Sequence, residues 1–148
     1  MNEKLIERTA YSGTKNFTQQ NVKTANASGF GAAADDFMER GIDLNEMLIN
    51  NKPATYFFRM NSNAMEETGI FSGDVLVVDR SIKATNGKII VAAINGELIV
   101  RRFSKDFNKA TLAATNKKFK DIVVDEFSDF NCWGVVTYTI HSLNKVGS

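Results

Sequence analysis

The sequence predicts a small all-β domain with a barrel-like core, one short helix and a mobile amino-terminal arm. Several short β-favouring runs are separated by turn signals at regular spacing, which is typical of sandwiches and barrels. A chain of 148 residues has room for one such core. Its 43% of apolar residues, among them 11 phenylalanines, indicates a globular domain rather than a disordered chain.

The first 28 residues differ in composition from the rest of the chain. They are rich in Asn, Thr, Gln, Ser and Lys and carry only scattered apolar side chains. Such a segment buries too little surface to offset its ordering entropy alone. We therefore predict a flexible arm over residues 1–28 that docks as an extended strand, a small-residue joint over residues 28–34, and one domain over residues 29–148.

One short helix is predicted immediately before the strands. Asp43 is a favourable N-cap, and Glu46 stands three residues later, as a capping box requires. Pro53 prevents the helix from continuing. One helical face is apolar and indicates packing against the domain; its residues are Leu44, Met47 and Leu48.

Everything after Pro53 is predicted to be β-structure. Residues 75–79 are apolar up to Asp79, which indicates a strand covered on both faces. The dipeptide Asn95-Gly96 is the strongest hairpin signal in the sequence, and it joins the predicted strands 88–94 and 97–103. The other predicted strands are residues 55–60, 109–114, 121–124 and 132–141.

Charge, hydropathy and cysteine content exclude several classes of function. A net charge of +1 gives no electrostatic basis for direct sequence-specific DNA binding or for an anionic membrane surface. No apolar run has the length of a membrane span, and residues 1–10 lack the apolar core of a secretory signal, so we expect a cytoplasmic protein. The single Cys132 forms no internal disulfide, and the single His141 has no ligand cluster at metal spacing, so neither a metal nor a cofactor is expected.

Two further groups of side chains stand in the carboxy-terminal half. A basic group in a predicted loop indicates a solvated face; it consists of Lys117, Lys118 and Lys120. The phenylalanines indicate a core together with an exposed self-association surface; they are Phe103, Phe107, Phe119, Phe127 and Phe130.

Three segments occur in an informative order. They are Ser-Gly-Phe at residues 28–30, Asn-Ser-Asn-Ala-Met at 61–65 and Glu-Leu-Ile-Val-Arg-Arg-Phe at 97–103. Together with residues 41–57, 72–79 and 134–136, this order resembles the UmuD proteins, accessory subunits of an error-prone polymerase, and the wider LexA-type self-cleaving serine peptidases. The resemblance spans about residues 28–140. It implies a LexA-like fold of coiled sheets around a small barrel-like core.

The resemblance also implies a catalytic site that lacks both its nucleophile and its base. In that family a serine attacks a peptide bond of the protein's own arm, and a neutral lysine on a neighbouring strand accepts its proton. The serine position falls on Ala64, the lysine position falls on Arg101, and the cleavage site falls on Ser28–Gly29. Alanine has no nucleophilic atom, and arginine stays protonated. We therefore expect no intrinsic self-cleavage.

Ser62 is the nearest alternative nucleophile. On an extended strand it would lie roughly 6.5 Å along the chain from Ala64, too far for the required contact of about 3 Å. Ser62 and Asn63 stand where the family has glycine and aspartate, which favours a natural loss of the dyad over an engineered one.

The resemblance implies a homodimer that meets the RecA filament on single-stranded DNA and binds a UmuC-type Y-family polymerase. Two other functions remain open. One is a self-processing peptidase that uses another nucleophile. The other is the dimerisation domain of a LexA-type repressor, although residues 1–28 lack the length and apolar periodicity of a helix-turn-helix. Cleavage of the arm in trans by an active relative also remains open.

Overall fold

The computed structural model describes residues 8–10, 21–23 and 38–144, which divide into two compact units. The larger unit holds residues 8–10 and 51–144, and the smaller unit holds residues 21–23 and 38–50. The strands are β1 (Arg8–Ala10), β2 (Asn21–Lys23), β3 (Met38–Gly41), β4 (Thr55–Arg59), β5 (Val75–Asp79), β6 (Ile89–Ile94), β7 (Glu97–Asp106), β8 (Lys109–Ala113), β9 (Ile122–Val124) and β10 (Phe130–Ile140). The helices are α1 (Leu44–Leu48) and two single 3₁₀ turns, Lys52–Ala54 and Glu66–Thr68. The predicted all-β class with one short α-helix is confirmed for the described residues.

The larger unit is built on one antiparallel sheet of eight strands. Their order is β1-β4-β5-β10-β6-β7-β8-β9, so β1 and β9 are the outermost strands among the described residues. β1 comes from the predicted arm and pairs with β4, with Arg8 opposite Phe58 and Ala10 opposite Tyr56. The predicted arm boundary and the predicted cleavage site, Ser28–Gly29, lie outside the described residues.

The predicted hairpin between β6 and β7 forms at Asn95-Gly96. Ile94 pairs with Glu97, and both turn residues have positive φ angles, 48° for Asn95 and 85° for Gly96. Two adjacent residues with positive φ characterise the type I′ turn, whose twist matches that of antiparallel strands. β7 extends three residues beyond the predicted end at Phe103, because it also pairs with β8 along its second half.

Two clusters of apolar side chains form the core of the larger unit. The first contains Phe58, Met60, Ala64, Met65, Ile70, Leu76, Val78, Val91 and Val100. The second contains Ile90, Ala92, Ile94, Ile99, Phe103, Leu112 and Val135. The prediction that β5 is covered on both faces is confirmed, since Leu76, Val77 and Val78 are all buried. Ala64 and Met65 belong to the first cluster, so the core fixes the segment in which the candidate nucleophile position lies.

The smaller unit contains the β2–β3 pair and α1. The helix begins where its capping residues predict, because the Asp43 carboxylate accepts hydrogen bonds from the backbone N–H groups of Asn45 and Glu46 at 3.0 and 3.4 Å. The predicted packed face is only half covered, with Leu44 and Met47 about half exposed. Over the part of the chain that is described, no helix is long and apolar enough to cross a membrane.

Candidate active-site cleft

The segment after β4 forms a tight turn that holds Ala64 in the core. Met60 is anchored first: its N–H donates to the Asp74 carbonyl at 2.8 Å, and its carbonyl accepts from Gly73 at 2.7 Å. The chain then turns over residues 61–65, and Ala64 and Met65 have no exposed surface. Burial of two apolar side chains fixes this turn against the first core cluster.

The geometry around Ser62 differs from the extended strand assumed from the sequence. The chain leaves β4 at Arg59, and the Ser62 hydroxyl oxygen bends back to accept the Ala64 N–H at 3.0 Å. Serine commonly makes this local bond in turns. The expectation that Ser62 lies roughly 6.5 Å along a strand from Ala64 is therefore wrong for its hydroxyl, which sits beside the Ala64 backbone.

A second loop is hydrogen-bonded to this turn. The Ala64 carbonyl accepts two backbone N–H groups, from Thr115 at 2.9 Å and from Asn116 at 3.0 Å. The Asn116 side-chain amide donates to the Asn63 carbonyl at 2.9 Å. These bonds join the turn after β4 to the loop between β8 and β9. Position 64 is consequently held by its own backbone contacts as well as by packing.

Arg101 enters the site from the middle of β7. Alternate residues of a strand point to one face, so Arg101 shares its face with the buried Ile99 and Phe103. Only 3% of Arg101 is exposed. Its Nη1 donates to the Val100 carbonyl at 2.9 Å, and its guanidinium carbon lies 5.7 Å from the centre of the Phe119 ring. The cation–π contact partly compensates the cost of burying the charge.

The turn, β7 and the second loop enclose one open cleft of about 780 Å³. Ser62 and Asn63 line it from the turn, Arg101 from β7, and Asn116 and Phe119 from the loop. Among the described residues, five charged side chains line it: Glu66, Glu97, Arg101, Lys118 and Lys120. These three cations and two carboxylates carry a net charge of +1, and Arg101 is the buried member of that set.

The structure thus brings the segment around Ala64 and the side chain of Arg101 to one cleft. Ser28 and Gly29, the predicted cleavage site, lie outside the described residues. Lys118 and Lys120 line the cleft but are exposed, so they lack the desolvation that a neutral lysine base requires. Within the described part of the cleft, no serine is paired with a buried lysine or a histidine.

A pair formed by a buried carboxylate and an exposed histidine lies at the ends of β5 and β10, and the sequence did not reveal it. Asp74 Oδ1 is 2.5 Å from His141 Nδ1, while Asp74 Oδ2 accepts from the Phe71 N–H at 2.9 Å and from the Thr139 hydroxyl at 3.0 Å. Asp74 is 67 positions from His141, so only the β5–β10 pairing brings them together. Residues 8–10, 21–23 and 38–144 contain no group of three side chains suited to a metal ion.

The phenylalanine group predicted to form a core and an exposed surface divides between the two. Phe103 is buried and stacks on Phe130 with ring centres 6.3 Å apart, and Phe119 packs against the first core cluster. Phe107 and Phe127 are 92% and 86% exposed.

Cys132 is half buried, and this burial raises the pKa of its thiol. The Gly134 backbone and Arg80 have smaller effects that lower this pKa.

The chain is similar to a known protein family and to several individual proteins. Residues 21–137 match the family described as Peptidase S24-like. The chain is 36% identical over 115 residues to the protein MucA of Salmonella typhimurium, covering 77% of this chain and 78% of that protein. It is 33% identical over 120 residues to the protein ImpA of Shigella flexneri, covering 80% of this chain and 81% of that protein. The chain is 36% identical over 99 residues to a LexA repressor of Ectopseudomonas mendocina (strain ymp), which covers 67% of this chain and 48% of that protein.

Proposed function

The chain belongs to the Peptidase S24-like family, and we propose that it is a UmuD-like protein of the SOS response to DNA damage. In this proposal it acts as an accessory subunit of an error-prone translesion polymerase, and its own self-cleavage dyad is inactive. One observation carries the proposal. Ala64 is fully buried in a turn whose residues Ser62 and Asn63 line the same cleft as the buried Arg101.

The loss of activity follows from the chemistry of the two positions. With a serine in place of Ala64 and a lysine in place of Arg101, the hydroxyl oxygen would attack the carbonyl carbon of Ser28. The lysine would accept the hydroxyl proton and pass it to the departing amine of Gly29, and water would release a carboxylate at Ser28. Ala64 offers no atom for the first step. An arginine guanidinium has no lone pair available to accept a proton and cannot act as the general base.

The partners follow from the resemblance to UmuD. We propose a homodimer that meets the RecA filament on single-stranded DNA and binds a UmuC-type Y-family polymerase. An arm that is never removed leaves three modes of action. The protein acts permanently as the uncleaved inhibitory form, it assists the polymerase without cleavage, or an active relative cleaves its arm in trans.

The first test is the intact mass of the purified chain before and after incubation with RecA, single-stranded DNA and ATP. We expect an unchanged mass, followed by capture of a UmuC-type polymerase by the uncleaved chain. A product that begins at Gly29 would contradict the inactive dyad. Failure of the uncleaved and the arm-deleted chain alike to bind the polymerase would contradict the accessory role.

Restoring the two residues tests the assignment of the positions directly. We expect the double variant Ala64→Ser with Arg101→Lys to cleave itself after Ser28, because it regains both a nucleophile and a base. The two single variants are the matched controls, and each should stay intact since it lacks one of the groups. A folded double variant that stays intact under the same conditions would show that Ala64 and Arg101 are not the family's reacting positions.

Self-processing by Ser62 is the second candidate function. It is favoured by the turn, which brings the Ser62 hydroxyl to the cleft and within 3.0 Å of the Ala64 nitrogen. It is disfavoured by the exposure of Lys118 and Lys120, the lysines of the cleft lining. If a product beginning at Gly29 appears in the wild-type chain, its loss in Ser62→Ala identifies this nucleophile, and its persistence rules Ser62 out.

A further inference from the structure

Two phenylalanine rings stand exposed at one end of the larger unit. Phe107 and Phe127 are almost fully exposed, and neither ring belongs to the two core clusters of the described residues. An exposed phenylalanine forgoes the free energy that burial of its ring would release. One exposed apolar side chain is common at a protein surface, but two large rings at one site indicate a surface that another molecule covers.

The strand pairing brings the two residues to the same end of the sheet. Phe107 lies in the two-residue turn that joins β7 to β8. The second residue of β8, Ala110, pairs with Val124, the last residue of β9. The next turn, residues 125–128, therefore begins beside the first residue of β8, and it carries Phe127.

The backbone holds Phe107 in an unfavourable conformation at the tip of its hairpin. Its φ angle is 51°, in the left-handed region, where the Cβ atom crowds the backbone. The other non-glycine residue with a positive φ among those described is Asn95, and asparagine tolerates this region. A bulky apolar residue kept there without burial in its own fold indicates a role in contact with another molecule.

Hydrogen bonds fix the turn that carries Phe127. The Asp125 carboxylate accepts the Phe127 N–H at 2.9 Å and the Ser128 hydroxyl at 3.0 Å. The Asp125 carbonyl accepts the Ser128 N–H at 3.2 Å, and the Asp129 N–H donates to the Asn95 side chain at 3.2 Å. A turn that is already ordered loses little conformational entropy when a partner covers it, so both rings suit the centre of an interface.

Charges of both signs surround the two rings. The exposed charged side chains of the two turns and the strand ends beside them are Lys105, Asp106, Lys109, Asp125 and Glu126. Three carboxylates against two cations disfavour a nucleic acid or an anionic membrane as the partner. A surface with neighbouring charges of opposite sign is complementary to itself, because a twofold axis can place the cations of one copy beside the carboxylates of the other. This pattern therefore fits a second copy of the chain.

We infer that Phe107 and Phe127 form a self-association surface, on which the two rings of one copy pack against the same two rings of a second copy. The inference rests on the proposed function, which includes a homodimer, and it assigns an interface to that dimer. Burial of one aromatic ring removes about 150–250 Å² from water, so four rings supply roughly half of the about 1,200–2,000 Å² that a stable interface buries. The charged side chains around the rings form its polar rim.

Sedimentation velocity of the full chain at several concentrations measures the dissociation constant of self-association. We expect Phe107→Ser and Phe127→Ser each to raise this constant about tenfold or more, the range for an aromatic anchor at the centre of an interface. Leu143→Ser is the matched control, because Leu143 is equally exposed but lies beyond the end of β10. This variant should keep the wild-type constant.

A charge exchange tests whether the contact joins two copies. Lys109→Glu and Glu126→Lys should each weaken self-association, because like charges then face each other across the twofold axis. An equal mixture of the two variant chains should associate as tightly as the wild type, since each copy then offers the charge that the other lacks. Repair within one chain cannot explain that result, because the two substitutions are on different molecules.

The outcomes separate this inference from the proposed function. A wild-type chain that stays monomeric, or a constant that rises in Leu143→Ser but in neither phenylalanine variant, would overturn the inference. So would a mixture of the charge variants that associates no better than each variant alone. Capture of a UmuC-type polymerase is measured on the same samples: a dimer that persists in both phenylalanine variants and binds the polymerase refutes this inference alone. A chain whose dimer is lost in those variants, but which never binds the polymerase, refutes the accessory role alone.

Discussion

Two of the buried charged side chains of the larger unit lie in different settings. Asp74 directly precedes β5. Its carboxylate accepts hydrogen bonds from the Phe71 N–H of the preceding turn and from the Thr139 hydroxyl of β10, and it contacts the His141 ring just after β10. Arg101 lies in the middle of β7 and lines an open cleft. The carboxylate of Asp74 therefore has its polar partners within the fold, whereas the side chain of Arg101 also borders the cleft.

The largest expected loss of stability follows substitution of Asp74. Asp74→Ala leaves two polar donors and a backbone N–H at the β5–β10 junction without their acceptor. We expect the free energy of unfolding to fall by about 3 kcal/mol, the range for breaking a buried polar network. Urea denaturation monitored by Trp133 fluorescence measures the loss.

Thr139→Val is the graded control for this network. It removes a single donor to Asp74 Oδ2 and nearly preserves the side-chain volume. We expect a loss of about 1 kcal/mol, the value of one hydrogen bond. If Asp74→Ala cost no more than Thr139→Val, the carboxylate would not be the centre of the network.

Arg101→Met should have a smaller effect on stability than Asp74→Ala. Methionine is similar in length to arginine and carries no desolvation cost, which offsets the loss of the guanidinium's contacts with the Val100 carbonyl and the Phe119 ring, so we expect a loss of about 1 kcal/mol or less. The same urea titration measures it. A loss as large as that of Asp74→Ala would make Arg101 a structural residue and remove the distinction between the two sites.

The smallest expected effect concerns Cys132, a third ionisable group, which is half buried and neutral as a thiol. Burial raises the pKa of this thiol, so the folded chain retains a proton that the unfolded chain releases first. Stability linked to Cys132 is therefore present at neutral pH and falls as the pH rises through the ordinary thiol range towards the folded pKa.

Alkylation with iodoacetamide measures how far burial protects the Cys132 thiol. The folded chain should react more slowly at neutral pH than the urea-unfolded chain, and its rate should rise as the pH is raised, because the thiolate is the reactive form. Equal rates in the folded and unfolded chains at neutral pH would show that burial does not protect the thiol. The variant Cys132→Ser controls for reaction at other side chains.

Local sequence signals predicted most of the fold. The β6–β7 hairpin follows from Asn95-Gly96, and the burial of β5 follows from its unbroken apolar run. The helix cap at Asp43 was also predicted from the sequence. Each of these features depends on residues that are close along the chain, and this is why the sequence was sufficient.

Only some of the contacts around the cleft were predictable from the sequence. The resemblance places the family's nucleophile and base positions at Ala64 and Arg101, which stays a prediction, and the structure brings the segments of these two residues to one cleft. The hydrogen bond from the Ala64 N–H to the Ser62 hydroxyl oxygen was missed, since serine is equally common at a strand end and in a turn. The Asp74–His141 pair was missed because no local pattern connects positions 67 residues apart.

The outermost position of β1 has a consequence for any shortened form of the chain. β1 occupies the outer edge of β4, opposite Tyr56, Phe57 and Phe58. Loss of the first 28 residues would remove β1 and leave an aromatic, strongly β-forming strand with open backbone donors and acceptors. Such an edge is a template for strand addition, whether by a partner's extended segment or by another copy in an aggregate. The amino-terminal strand therefore covers an edge of the sheet that would otherwise be open to strand addition.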